Sequence, residues 1–266
     1  MDVQLVGILN LTPDSFSDGG RFAGAGQSLQ AQVERACRLV EQGASWVDLG
    51  GESTRPGAEP VSAMEEMDRV LPVLEAIVAL GISVSVDTRK PAVARAALSA
   101  GAAVINDVGG FEDPEMVHAV AQAGGGAVVM HMRGTPQTMQ GDTRYQDVVS
   151  EVRDFLQERV NGLRAAGVEQ IWADPGIGFG KSAPQCAELI ARLPEFESLG
   201  VPLYIGASRK SFIPALVGAL EPDERLPGSL AAAGAAVLAG ASVLRVHDVA
   251  ETRQFLQIFA ACRGAA

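Results

Sequence analysis

Eight short apolar runs in this chain each end on polar side chains capable of chemistry. In order, the ends read Asn10, Asp48 with Glu52 beyond it, Asp87 with Thr88, Asn106 with Asp107, His131 with Arg133, Asp174, Ser208-Arg209-Lys210, and Arg245 with His247. Two kinds of recognition can be read from the set. Asp87, Asn106, Asp174 and Lys210 can converge on a planar heterocycle. Carboxylates accept from ring N–H and amino groups, while an amide and an ammonium serve carbonyl oxygens, which is a purine-like or pterin-like pattern. Arg55, Arg245 and His247 can instead clamp an anion, because guanidinium forks match phosphate oxygens and the loops sit beside helix N-termini. A diphosphate would also recruit Mg2+, for which Asn10 offers a hard oxygen ligand. Taken singly, each Asp or Asn is as well explained as the cap of a following helix. Eight such ends in series are harder to explain that way.

The elements that must position these groups are the runs themselves: 4–10 (QLVGILN), 46–50 (WVDLG), 82–87 (ISVSVD), 103–107 (AVIND), 127–132 (AVVMHM), 170–174 (QIWAD), 202–207 (PLYIGA) and 243–247 (VLRVH). They are near-continuous rather than alternating in hydrophobicity, as parallel strands covered on both faces are. Helix-period segments lie between them, with Leu29, Val33, Cys37 and Val40 on one expected face and Met67, Val70, Leu71, Leu74 and Val78 on another. Ser62 before Glu65 and Asp248 before Glu251 stand at capping-box spacing and predict helix starts. Repeated βα units of this kind predict an α/β protein, a (β/α)8 TIM barrel forming a single domain over residues 1–266, with long loops at 11–28 and 51–61. In that architecture the active site lies at the carboxyl ends of the strands, where the polar residues fall.

Composition is compatible with this and narrows the partners. Of 266 residues, 47% are hydrophobic and 20% charged, enough for a large core and against disorder. A net charge of -11 offers no broad basic field, so neither nucleic acid nor an anionic membrane is an expected partner, and an anionic ligand must be held by local charges. Cys37, Cys186 and Cys262 are far apart and lack CxxC spacing, which fits a reducing cytoplasm better than a disulfide framework or a zinc site. The start MDVQLVGILNLTPDSF reads as a strand rather than a signal peptide. The greasiest stretch, Leu230 to Leu244, falls short of the roughly 18 apolar residues a membrane span requires.

Three familiar motifs are set aside. DPGIGFGKS (174–182) resembles a phosphate-binding P-loop, but Pro175 stands where that motif needs glycine. The histidines at 118, 131 and 247 lack HExxH spacing, and His118 falls inside an expected helix, so a tightly held zinc is not indicated. No G-x-S-x-G elbow precedes a helix.

The segments GILNLTPDSFSDGG (7–20), GGESTRPGA (50–58), SVDT (85–88), INDV (105–108), MHMRG (130–134), DPGIGFGK (174–181), GASRKS (206–211) and RVHDV (245–249) resemble the dihydropteroate synthase family from first strand to last. The resemblance implies a (β/α)8 barrel that joins a pterin diphosphate to p-aminobenzoate in folate synthesis, a Mg2+ requirement, sulfonamide competition and a homodimer. It implies that Asp87, Asn106, Asp174 and Lys210 hold the pterin, with Met130 and Phe179 lining its pocket. Asn10, Thr54, Arg55, Arg245 and His247 would engage the diphosphate and its metal. Phe16, Ser17, Pro56 and Ser211 would border the p-aminobenzoate pocket. Asp87, Arg55, Lys210, Arg245 and His247 are the expected catalytic set. Alternative readings are a pterin-dependent methyltransferase domain, against which the long loops and SRKS argue, and a noncatalytic pterin-binding paralogue, which would have lost loop motifs that are intact here.

Overall fold

The computed structural model describes residues 3–12, 28–54 and 57–264. Phe16, Ser17, Arg55 and Pro56 lie outside the described residues. The strands are β1 (Gln4–Asn10), β2 (Trp46–Gly50), β3 (Val84–Asp87), β4 (Val104–Asp107), β5 (Gly126–Met130), β6 (Ile171–Asp174), β7 (Tyr204–Ile205) and β8 (Val243–Val246). The helices between and after them are α1 (Leu29–Glu41), α2 (Ala63–Val78), α3 (Pro91–Ser99), α4 (Pro114–Ala123), α5 (Val148–Ala165), α6 (Ala183–Ala191), α7 (Phe212–Val217), α8 (Leu226–Leu238) and α9 (Val249–Cys262). The strands form one eight-stranded parallel sheet in the order β6-β5-β4-β3-β2-β1-β8-β7. A parallel bridge between Ala173 and Leu203 joins its two ends, so the sheet closes into the expected (β/α)8 barrel. No described helix is long and apolar enough to cross a membrane.

Register explains how one barrel has a greasy base and a charged mouth. Val6, Trp46, Val104, Val128, Tyr204 and Val243 form a buried apolar cluster, with Trp172 packed against it. Side chains on a strand alternate faces, so the residue two positions further on points the same way. From this cluster that step gives Ile8, Asp48, Asn106, Met130, Asp174, Gly206 and Arg245. The ladders align these levels: Val6 pairs with Trp46 and Ile8 with Asp48, Asp87 pairs with Asn106, and Met130 with Asp174. The barrel interior therefore changes from aromatic and branched side chains to carboxylate, amide and guanidinium within one pleat.

Several expectations about local structure need correcting. The seventh run, expected over 202–207, is a strand for Tyr204–Ile205 only. Its neighbour Pro202 has no N–H to give a ladder, although its carbonyl still accepts from Ala173 N–H at 3.0 Å. The buried residues of α1 are Ala36 and Leu39; of the expected face Val33 packs against the core, while Leu29 is 45% and Val40 37% exposed. On α2 the buried residues are Glu66, Val70, Val73, Leu74 and Ile77, so the stripe is rotated from the expected one and includes a carboxylate held by Lys90. Ser62 caps α2 as expected, accepting from Glu65 N–H at 3.1 Å. Asp248 makes no side-chain cap bond to α9, because its carboxylate is bound in an ion pair with Arg209.

Candidate active site

Asn10, Thr54, Asp87, Phe179, Lys210, Ser211, Arg245 and His247 line one cleft of about 450 Å³ at the carboxyl ends of the strands. Asn106, Met130 and Asp174 do not line it. They are buried at the ends of β4, β5 and β6, between 2% and 4% exposed.

Electrostatics at the floor centre on Arg245. Its Nε donates to Asp48 Oδ2 at 2.6 Å and its Nη2 to Asp87 Oδ2 at 3.0 Å. Burial works against the guanidinium's charge, but the two carboxylates hold its pKa above the ordinary arginine value. The other Asp87 oxygen, Oδ1, is buried with no hydrogen-bond partner among the described residues. Burial pushes the Asp87 carboxyl up to about 7, against the pull of Arg245 and with the repulsion of Asp48. An acceptor left open in a buried site, next to a fixed cation, is suited to a ligand N–H or to a developing positive charge.

The loop after β6 forms a second wall. Asp174 Oδ1 accepts from Gly176 N–H at 2.7 Å, and burial raises the carboxyl's pKa despite the nearby Lys210. Asp174 Oδ2 and Lys210 Nζ both lie 3.7 Å from the point a Gly206 Cβ would occupy, so the missing side chain leaves that space to a ligand. Lys210 Nζ donates to the Ile177 carbonyl at 2.5 Å and sits 4.4 Å from the Phe179 ring centre. Burial brings its ammonium down to about 8, with Asp174 opposing. At the end of β8 the His247 ring nitrogen Nδ1 shares a hydrogen bond with the Ser208 hydroxyl at 3.1 Å.

The loop after β2 is stapled by Glu52. Its carboxylate accepts from Val61 N–H at 3.0 Å, Arg89 Nε at 3.0 Å and Lys90 Nζ at 2.6 Å, which ties both ends of 53–60 to the start of α3. Burial raises this carboxyl, but the bonds from Lys90, Val61 and Arg89 together hold it below the usual range.

Three groups at the polar ends, His131, Arg133 and Asp107, make structural contacts instead. His131 is buried, its ring edge-on to Phe155 at 5.0 Å and its Nδ1 2.9 Å from the Lys181 ammonium. Burial and Lys181 push the imidazole down to about 2, so it stays neutral. Its neighbour Arg133 pairs with Glu151 and stacks on Tyr145 at 3.9 Å. Asp107 spends both oxygens on the N–H groups of Gly109 and Phe111, at 2.7 and 2.8 Å, and shapes a turn. None of them caps the following helix, a role taken by Asp113 for α4 and Asp147 for α5. Conversely, sequence reasoning passed over Lys181, whose ammonium donates to the carbonyls of His131, Gly176 and Phe179 within 3.2 Å and straps the β6 loop to β5. Its place in the P-loop-like DPGIGFGKS suggested only a phosphate contact that was set aside, and its actual partners are main-chain carbonyls and the His131 ring. Arg225, in the 3-10 turn just before α8, and Met139, in the loop after β5, also line the cleft and were likewise passed over, since neither lies in a periodic run. Among the described residues no group of three or more His, Cys, Asp or Glu side chains is placed to hold a metal ion.

A closed parallel barrel whose strand ends converge on a charged cleft defines this chain as a (β/α)8-barrel enzyme. Residues 6–247 match the family described as pterin binding enzyme. The dihydropteroate synthase of Synechocystis is 45% identical over 258 residues, which cover 96% of this chain and 88% of that protein. The solved structure of dihydropteroate synthase from Thermus thermophilus in complex with 4-aminobenzoate superposes with a TM-score of 0.88 at 47% identity, covering 97% of this chain and 94% of that one. The Yersinia pestis dihydropteroate synthase in complex with a sulfonamide drug superposes with a TM-score of 0.92 at 41% identity, covering 99% and 95%. The chain belongs to the pterin-binding enzyme family and, within it, to the dihydropteroate synthases.

Proposed function

We propose that the chain condenses (7,8-dihydropterin-6-yl)methyl diphosphate with p-aminobenzoate, giving 7,8-dihydropteroate and diphosphate, and that its cleft divides into three zones. Deep in the mouth, Asp87, Asn106, Asp174 and Lys210 hold the pterin ring, with Met130 and Phe179 against its faces. Beside them Asn10, Thr54, Arg55, Arg245 and His247 take the diphosphate. Phe16, Ser17, Pro56 and Ser211, at the rim and in the loops after β1 and β2, complete the p-aminobenzoate pocket. The observation that carries this reading is the convergence of the buried Asp87 acceptor, the Lys210 ammonium and the Arg245 guanidinium on one cleft, with Asp174 buried just behind Lys210.

The reaction breaks the bond between the pterin methylene carbon and the diphosphate oxygen, and the electron pair leaves on the oxygen. The arylamine nitrogen then forms a bond to that carbon and loses a proton. A dissociative order suits this site. The pterin ring delocalises positive charge from the methylene, and the open Asp87 oxygen lies in a buried site where a fixed negative charge acts strongly. Arg55, Arg245 and His247 offset charge building on the leaving group. The loops 11–28 and 51–61 keep out water that would otherwise capture the cation.

Residues here fit a diphosphate-bound Mg2+. Asn10 ends β1 with its Oδ1 3.3 Å from where a Gly50 Cβ would stand, so glycine leaves that oxygen uncovered. One protein oxygen is enough for an ion that keeps waters and takes the rest of its ligands from a substrate's phosphates. When bound, it supplies added neutralisation of the diphosphate. A homodimer is proposed on the family resemblance. Arg55→Ala tests the diphosphate assignment: a loss of at least about tenfold in kcat/KM is expected from a lost charge-assisted contact, and unchanged kinetics would remove Arg55 from the clamp.

A further inference from the structure

We propose that Asp48, which does not touch the cleft, is a positioning residue that sets the hydrogen-bond polarity of the pterin floor. This inference rests on the pterin-pocket reading above.

Asp48 is 0% exposed and spends both oxygens on side chains of β3, β4 and β8. Oδ2 accepts from Asn106 Nδ2 at 3.2 Å and from Arg245 Nε at 2.6 Å. Oδ1 accepts from the Ser85 hydroxyl, whose oxygen in turn accepts from Trp46 Nε1 at 3.2 Å. Indole and hydroxyl thus donate in sequence up to the Asp48 carboxylate from the apolar base of the barrel, while two side chains assigned to substrate, Asn106 and Arg245, donate to it from the other side.

The chemistry of the hub fixes what those two side chains present. A carboxylate only accepts, so the NH2 end of the Asn106 amide must face Asp48, and the amide oxygen with the remaining N–H is turned toward the ligand. Arg245 is gripped side-on, with Nε to Asp48 and Nη2 to Asp87, which sets the plane of the guanidinium. An amide at position 48 could either accept or donate. Asn106 would then be free to turn over, exchanging acceptor for donor on the ring edge, and Arg245 would keep a single charged partner, Asp87.

The test uses the full chain carrying Asp48→Asn or Asn106→Ala singly, the two together, and Ser85→Ala. Binding of (7,8-dihydropterin-6-yl)methyl diphosphate is measured by calorimetry, steady-state kinetics are measured for both substrates, and melting is followed. Asp48→Asn is expected to weaken pterin diphosphate binding roughly ten- to a hundredfold, the range for a lost charge-assisted hydrogen bond, while KM for p-aminobenzoate stays within about twofold. The losses from Asp48→Asn and Asn106→Ala are expected to combine to less than their product, because one acts through the other. Ser85→Ala, which leaves Asp48 in place without its orienting donor, is expected to show the same pattern more weakly, and it carries the test if Asp48→Asn does not fold. Unchanged pterin diphosphate affinity in folded Asp48→Asn or Ser85→Ala, or independent multiplication of the losses with both KM values raised alike, would overturn the proposal. Failure of the wild-type chain to bind the pterin diphosphate would overturn the functional reading itself, and this inference with it.

Discussion

Asp87 illustrates how a single side chain is placed at odds with its surroundings. Its carboxyl is driven up to about 7 by burial, with Arg245 the main opposing influence. Above that pH the ionised form, which the mechanism uses, predominates, and below it the site loses its negative charge. Activity carried by Asp87 should therefore rise between about pH 6 and 8. Stability has the opposite dependence. With its pKa raised on folding from 3.8, the group binds more protons folded than unfolded between about 4 and 7. Its contribution is thus most favourable below that window and is lost as pH rises through it. Asp87→Asn should abolish most turnover, and its Tm relative to wild type should rise from pH 4 to pH 8. Near-normal turnover, or a relative Tm that falls over that range, would contradict the assignment. The residue types at this scale were legible in sequence, since Asp87, Asn106, Asp174, Lys210, Arg245 and His247 all stand at or beside strand ends. What was not legible is which polar ends face inward. His131 and Asp107 carry suitable groups, but one is tied to Lys181 and the other to its own turn.

At the scale of elements, the loop after β6 is held by backbone geometry as much as by side chains. Gly176 has φ +70°, and a Cβ there would collide with the His131 carbonyl oxygen, far inside contact. Gly176→Ala should displace the segment that carries the Ile177 carbonyl and the Phe179 ring. We expect a destabilisation of about 1–3 kcal/mol in thermal melts together with a raised KM for the pterin substrate. An unchanged KM would detach this loop from the pterin pocket. Strand positions could be read almost to the residue for β1 and β2 because continuous apolar runs mark them clearly. Helix faces could not be read as well. On α1 the buried residues are Ala36 and Leu39, and Leu39 has room because it packs over Gly7 of β1, where a Cβ would come within 3.0 Å of it, whereas Leu29 at the first turn is left exposed. Asp248 does stand at the start of α9 as expected, but a long-range ion pair with Arg209 takes the carboxylate that local spacing assigned to capping its own helix.

For the whole molecule, the barrel brings together residues far apart in the chain, as Asp48 and Arg245, 197 positions apart, show. The net charge of -11 is carried by a protein whose substrates are both anionic, so a few placed cations must overcome the general field. Those cations sit at the carboxyl ends of β7 and β8, where Lys210 and Arg245 each have acidic neighbours that keep them charged or oriented. The proposed homodimer predicts sedimentation at twice the mass of one chain at micromolar concentration; a single-chain species throughout would contradict it. The most direct measurement is of the reaction. Purified protein would be incubated with (7,8-dihydropterin-6-yl)methyl diphosphate, p-aminobenzoate and Mg2+, and both products quantified. The account predicts 7,8-dihydropteroate and diphosphate in equal amounts, with a sulfonamide competing against p-aminobenzoate. A folded chain that binds the pterin diphosphate and releases neither product would contradict it.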